Sequence, residues 1–250
     1  MPQTKNRDFF YVDSSHVTNG VLKLTGGEAH HIQNVFRKKK GDIIWAVNGE
    51  GTAYETNILD FEDDAVTCRI DRTYQEFNEP ELELKLGLGM LKSSHVEEVL
   101  NSCIQLGLTE LVPLNSSRSE KKSLNRTRLE KIAVAAMKQC GRSRLTKISD
   151  PIGLTQFISD SSRDELKLIG VMESRVPSLN TLLNGLNGAS VRNVSLLIGP
   201  EGDFTGDEIE TALNSGFKAV SLGVRRLRSE TASVVILSQV MAHYEGRTAE

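Results

Sequence analysis

From about residue 78 onward the chain repeats one rhythm: a short apolar run, a turn, then a stretch with helical spacing. LELKLGLGML (82–91), TELVPLN (109–115), LKLIGVME (166–173), VSLLIG (194–199) and KAVSLG (218–223) read as strands. SSHVEEVLNSCIQLG (93–107), an amphipathic stretch over roughly 124–141, SLNTLLNGL (178–186), TGDEIETALNSG (205–216) and SETASVVILSQVMAHYEG (229–246) read as helices. Strands separated by helices are paired most economically as a parallel sheet with the helices on its faces. The expected fold class is α/β.

The first seventy-odd residues follow a different rule. DIIWAV (42–47) runs into the turn NGEG, TAYETNILDF (52–61) partly alternates, and the turn EDD leads into AVTCRI (65–70). Short strands joined by tight turns suggest a small barrel. Ahead of them, GGEAHHIQNVFRKKKGD (26–42) reads as a short helix ending in the basic cluster Arg37–Lys40. QEFNEPE (75–81) has the polarity and the proline of a linker, which divides the chain into residues 1–77 and 78–250.

With 38% hydrophobic and 25% charged residues, the composition is that of an ordinary globular protein. No apolar run reaches the roughly 18 residues of a membrane helix, and the polar start MPQTKNRDFFYV does not read as a signal peptide, so a cytoplasmic location is expected. Cys68, Cys103 and Cys140 are scattered and odd in number, which supports neither a disulfide framework nor a metal site. The net charge of −3 conceals segregation. Residues 41–90 carry three Lys/Arg against twelve Asp/Glu, whereas 118–147 carry ten against two and 1–40 carry seven against three. Such a pattern does not suit general coating of nucleic acid, but local basic stretches suit a shaped RNA surface.

Two segments break the α/β rhythm. In LLIGPEGDFTGDEIETAL (196–213) an apolar strand stops at Gly199, Pro200, Glu201 and Gly202. The following helix is explained by a capping box, Thr205 with Glu208 three residues on, and by Asp207 in the first turn. The break is not explained by helix physics. It lies beyond the carboxyl end of a strand, where open α/β sheets bind ligands, and glycines there let a ligand approach the backbone. It lacks the Lys-Ser/Thr of a triphosphate loop. In SLGVRRLRSETASVVILSQV (221–240) a strand ends in Leu222-Gly223, and Arg225, Arg226, Leu227 and Arg228 lead into a helix capped near Ser229. Cations are disfavoured at a helix N-terminus, so Arg228 there suggests a further partner, unless Glu230 supplies it.

LLIGPEGDFTGDEIE and SLGVRRLRSETA together resemble the signatures of the RsmE family. These are SPOUT-class methyltransferases that act on N3 of a uridine in small-subunit (16S) ribosomal RNA. GRSR (141–144), LGLTELVPLNSSRSE (106–120) and VFRKKKGD (35–42) extend the resemblance in order along nearly the whole chain. The chain departs from the family pattern at Asp203, where a glycine is common, at Gln105, where an acid is usual, and at Ser229, where threonine is usual.

The resemblance implies a PUA-like β-barrel that helps hold RNA, followed by a SPOUT domain with a mostly parallel sheet and a trefoil knot. It further implies a homodimer, with rRNA or the assembled small subunit as partner and no metal. The cofactor implied is S-adenosylmethionine (SAM), gripped by Met172, Leu197, Gly199, Glu201, Gly202, Leu222, Gly223, Leu227 and Arg228. Arg228, with Arg142 as second choice, would stabilise the uracil anion, while Glu201 would accept the N3 proton or hold the cofactor ribose. RNA phosphates would meet Arg7, Arg37, Lys38, Arg118, Arg142 and Arg144. His30, His31 and His95 read as surface or cap residues. Three other readings remain: the same fold acting on another RNA position or on ribose, a noncatalytic RNA-binding module, and a Rossmann protein using Gly87 and Gly89. The last lacks the third glycine, since Lys92 stands in its place.

Overall fold

The computed structural model describes residues 7–119, 124–173, 175–186 and 191–245, which fall into two compact units. One consists of residues 7–79 together with Val134–Leu145; the other is Pro80–Ala133 with residues 146–245. The return of the chain to the first unit at Val134–Leu145 has no counterpart in a single linker near residue 78.

In the first unit, β1 (Phe9–Tyr11), β2 (Val17–Thr18), β3 (Val21–Thr25), the single turn α1 (Gly27–His30), β4 (Ile43–Val47), β5 (Thr52–Glu62) and β6 (Ala65–Gln75) follow in order. Their six-stranded sheet runs β1-β4-β5-β6-β3-β2, antiparallel except for β1 against β4. Phe10, Leu22, Leu24, Ile32, Ile44, Ile58 and Val66 form its core. A second cluster stacks Trp45 on Tyr74 and Phe77, and Met137 from the returning segment packs into it.

The returning segment is held by a buried ion pair. The Arg142 guanidinium donates to Glu79 Oε2 through Nε at 3.1 Å and Nη2 at 2.7 Å, with 4% and 5% of the two side chains exposed. Glu79 Oε1 accepts the backbone N–H groups of Ser143 and Arg144, each at 2.8 Å. These contacts satisfy the carboxylate where water cannot reach it, as a buried charge requires. Arg142 was expected to face RNA or the reacting base. Its guanidinium is instead buried against Glu79.

The second unit contains β7 (Glu83–Gly89), α2 (Ser93–Gln105), β8 (Leu108–Asn115), most of the first two turns of α3 (Arg126–Cys140), β9 (Lys147–Ile148), β10 (Ile152–Gly153), α4 (Leu154–Asp160), β11 (Leu166–Gly170), α5 (Leu179–Gly185), β12 (Asn193–Ile198), α6 (Gly206–Asn214), β13 (Lys218–Val220) and α7 (Ser229–Glu245). Strand order is β10-β8-β7-β12-β11-β13, with β9 beside β8, and every pairing is parallel. This matches the α/β expectation. β12 is buried along nearly its whole length and its sequence, NVSLLI, is close to a continuous apolar run, whereas β7 alternates leucine with Glu83, Lys85, Gly87 and Gly89 and is buried on both faces only in its second half.

Gly87 and Gly89 lie inside β7, paired with β8 and β12, so they form no nucleotide loop. They permit close packing: a Cβ on Gly87 would sit 2.8 Å from the Phe157 ring, and one on Gly89 would collide with the backbone of Pro200. The Rossmann reading ends there.

The expected capping box is present, Thr205 Oγ1 accepting from Glu208 N and Glu208 Oε2 from Thr205 N at 2.8 Å. The other Glu208 oxygen accepts the Ser117 N–H at 2.8 Å, tying the chain beyond β8 to the start of α6. Burial acts to raise the Glu208 pKa, but the hydrogen bonds from Thr205 and Ser117 outweigh it and leave the carboxyl below its ordinary range. A group so lowered stabilises the fold above the unfolded carboxylate pKa, about 4.3, and that contribution fades as pH falls through the lower folded value. Glu208→Gln is therefore expected to cost roughly 1–2 kcal/mol at pH 7, from the lost cap and clamp, and progressively less below about pH 4. Urea melts at both pH values check it. Arg142→Ala is expected to cost about 3–5 kcal/mol, because Glu79 is left charged and buried. Glu79 and Arg142 replaced together by Gln and Met should recover part of that loss in the same melts.

Candidate active site

Parallel pairing sends the carboxyl ends of all strands of the second sheet to one edge, and the segments leaving that edge enclose a cleft of about 730 Å³. That is a size suited to a small molecule. Lys92 and His95 come from the start of α2 beyond β7, and Arg118 from the segment beyond β8. Gly170, Val171 and Met172 follow β11, and Ile198 to Asp203 follow β12. Leu222, Gly223 and residues from Arg225 into the first turn of α7 complete the wall.

The loop beyond β12 is a tight turn built on backbone contacts. The Asp203 N–H donates to the Pro200 carbonyl at 2.8 Å. A Cβ on Gly199 would stand 2.7 Å from Asp203 Oδ1 and 3.0 Å from Phe204 N, so only glycine fits there. Asp203 itself is left-handed, with φ +62°. A glycine would take that conformation freely; here the aspartate compensates by accepting the Phe204 N–H at 2.8 Å. Arg118 Nη1 donates to the Gly202 carbonyl at 2.9 Å and fixes the far side of the loop.

The loop beyond β13 turns at Gly223, whose φ of +128° admits few side chains, and a Cβ there would meet no atom within 4 Å. Ser229 is the first residue of α7 rather than its cap: the Arg228 carbonyl accepts the Ala232 N–H at 2.8 Å. The Arg228 side chain is 82% exposed and stands 3.9 Å from Glu230, which is only 8% exposed. At that distance Glu230 leaves the Arg228 donors open to a ligand.

Eight of the nine residues expected around the cofactor border this cleft: Met172, Gly199, Glu201, Gly202, Leu222, Gly223, Leu227 and Arg228. Leu197 does not. Alternation along β12 turns it into the apolar core with Phe157 and Ile169, while its neighbour Ile198 reaches the cleft. Of the residues expected at RNA, Arg118 lines the cleft. Arg37 and Arg144 are exposed on the first unit, the latter paired with Glu76. Lys38 is half-buried and bonded to Asp8 at 2.7 Å, and the Arg7 guanidinium carbon stands over the Trp45 ring, 4.1 Å from its centre. Lys92 and His95 are the residues that sequence reasoning passed over as site residues. His95 Nδ1 lies 3.5 Å from Glu201 Oε1. LKSSH begins where the run 82–91 ends, so the same strand-end rule that singled out residues 199–202 would have found it.

Chemically the cleft offers an apolar wall of Val171, Met172, Ile198, Leu222 and Leu227, glycine backbone open to close approach, and carboxylates and guanidinium groups at its rim. Such a set suits a ligand with a flat apolar ring, hydroxyl groups and a charged end. The two buried cysteines, Cys68 in the first unit and Cys103 in α2, do not line the cleft, burial pushing the Cys68 thiol up to about 11 and the Cys103 thiol to about 12.

Comparison with known proteins gives this arrangement its relatives. Residues 78–241 match the model of an RNA methyltransferase domain and residues 24–71 that of an RNA methyltransferase PUA domain. The ribosomal RNA small subunit methyltransferase E of Synechocystis is 32% identical over 237 residues, covering 94% of this chain and 77% of that protein. A putative methyltransferase from Legionella pneumophila, solved with its bound cofactor SAM, is 25% identical with a TM-score of 0.80, covering 96% of this chain and 98% of that one. A probable rRNA-methyltransferase from Porphyromonas gingivalis is 28% identical with a TM-score of 0.83, covering 96% and 99%. The first unit thus contains a PUA-type domain, the parallel-sheet unit is the methyltransferase domain, and the chain belongs to the ribosomal RNA small subunit methyltransferase E family.

Proposed function

We propose that this protein methylates N3 of a uridine in small-subunit ribosomal RNA, using SAM held in the cleft. The observation that carries the reading is the convergence of the glycine turn at 199–203 and the arginine-rich loop at 222–229 on one cavity, in a chain similar to one solved with SAM. The cavity fits that cofactor: the apolar wall suits its adenine, and the bare backbone at Gly202 and Gly223 its close approach. When bound, SAM supplies an activated methyl group on a sulfonium.

This chain's residues then position the base and manage its charge. Arg228, exposed at the rim and only loosely paired, donates to a uracil carbonyl oxygen as negative charge develops there. Arg118 holds the Gly202 carbonyl and so sets the shape of the loop. Phosphates of the RNA meet Arg37 and Arg144, with Lys38 and Arg7 beside them, and the accessible base is delivered to the cleft. A second copy of the chain covers α7, a helix with apolar residues around most of its circumference that leaves Val234 and Val235 half-exposed. The loops at 199–202 and 222–229 belong to the family's knot. No helix among the described residues is long and apolar enough to cross a membrane, and the reading places the protein in the cytoplasm with the ribosome.

The test is methyl transfer from radiolabelled SAM to small subunits lacking the modification, followed by nucleoside analysis. Label in 3-methyluridine is expected; label in another nucleoside moves the target, and binding of SAM without transfer leaves a noncatalytic module. Gly202→Val should abolish calorimetric SAM binding with the thermal transition nearly unchanged, since a Cβ there meets only the exposed Arg118 stem at 3.2 Å. Arg228→Ala should lower turnover by about 10²–10³ while SAM affinity stays within a few-fold.

A further inference from the structure

His95 sits in the first turn of α2 and lines the cleft, yet it does not behave as a surface histidine. Its side chain keeps 30% of its surface, but Nδ1 is closed to solvent and has no hydrogen-bond partner. A sealed polar nitrogen without a partner costs about 1–3 kcal/mol and calls for a reason. The charged atom facing it is Glu201 Oε1 at 3.5 Å, a distance that a small movement of either side chain converts into a hydrogen bond. Catalytic hydrogen bonds are commonly this long before substrate binds.

We infer that His95, oriented by Glu201, is the general base that removes the uracil N3 proton; this rests on the function proposed above. With Nδ1–H directed to the Glu201 carboxylate, the tautomer is fixed and the lone pair is left on Nε2. In the transfer, the N3–H bond breaks and its proton moves to Nε2. The electron pair on N3 forms the bond to the methyl carbon, and the S–CH₃ pair returns to sulfur, leaving a neutral thioether. The imidazolium so formed lies against the Glu201 carboxylate, while Arg228 faces the oxygens of the uracil ring. Glu201 is thereby a positioning residue that acts through His95. The other charged groups on the same cleft are Lys92 beside its own turn, Arg118 beyond β8, Asp203 beyond β12, and Arg225, Arg226 and Arg228 with Glu230 leading into α7.

Single-turnover methyl transfer to unmodified small subunits across pH, with calorimetric SAM binding alongside, tests the assignment. His95→Gln is expected to bind SAM within about twofold of the unsubstituted protein while transfer falls by roughly 10²–10⁴. The rise of rate with pH that belongs to the base should disappear in His95→Gln. Free imidazole should restore part of the rate to His95→Ala, and none to Glu201→Gln, in which the ring is still present. Full activity with an unchanged pH profile in His95→Gln overturns the assignment, as does parallel loss of SAM binding and transfer. An unsubstituted protein that binds SAM but leaves the subunits unlabelled overturns the function proposed above, and this assignment with it.

Discussion

Parallel pairing of β7, β12, β11 and β13 is the constraint on which the site depends. Parallel strands cannot be joined by hairpins, so every connection crosses a face of the sheet and every strand delivers its carboxyl end to the same edge. Residues as far as 138 positions apart in sequence, from Lys92 to Glu230, are therefore gathered around one cavity without any contact designed between distant surface loops. The sheet also sets how tightly the edge closes. Gly89 at the end of β7 lets Pro200 lie against bare backbone, so the turn beyond β12 sits on its neighbour strand rather than standing away from it. A side chain at Gly89 would lift that turn and open the cleft.

Two devices then hold the turn rigid. Glu208 joins the α6 cap to Ser117, and Arg118 next along the chain reaches back to the Gly202 carbonyl. The turn is thus clamped at both ends by the segment leaving β8. Rigidity of this kind matters for group transfer, where alignment of the attacking atom with the methyl carbon supplies much of the rate. It also explains why so few side chains in the cleft need to be functional groups: the backbone at Gly199, Gly202 and Gly223 does the shaping, and the ionisable groups are left for the reacting base.

β7, β8, β11, β12 and β13 and the helices α2, α3, α5, α6 and α7 were legible because each carries a mainly apolar run or a helical period, and the capping box at Thr205 was legible because its chemistry is local. Other elements were not. β1 to β3 are short, and α4 spans only Leu154–Asp160, too few turns for its Leu154, Phe157 and Ile158 spacing to stand out. The return of Val134–Leu145 to the first unit rests on the Glu79–Arg142 pair, a contact between residues 63 apart that no window of sequence contains. Arg142 and Leu197 show the same limit at the scale of one residue. Both lie in segments that the sequence singles out, but whether a side chain points to a cavity or to a core is decided by strand alternation and by a distant partner.

Asp203 shows what resemblance adds when the backbone is known. As a departure from a commoner glycine it looked like a change in the site. Its φ of +62° makes it a change in how a left-handed turn is stabilised, the carboxylate replacing conformational freedom with a bond to Phe204 N. His95 is the opposite case, a position read as a surface or cap residue in a helical pattern, whose meaning comes from its surroundings alone. Glu201 could not be assigned to the proton or to the ribose while it was considered by itself. Placed 3.5 Å from a sealed imidazole nitrogen, it has a partner through which to act. A carboxylate alone would be a weak acceptor for a proton as reluctant as that on uracil N3. An imidazole backed by that carboxylate is a stronger one, and in the tautomer inferred above its lone pair is on the far nitrogen.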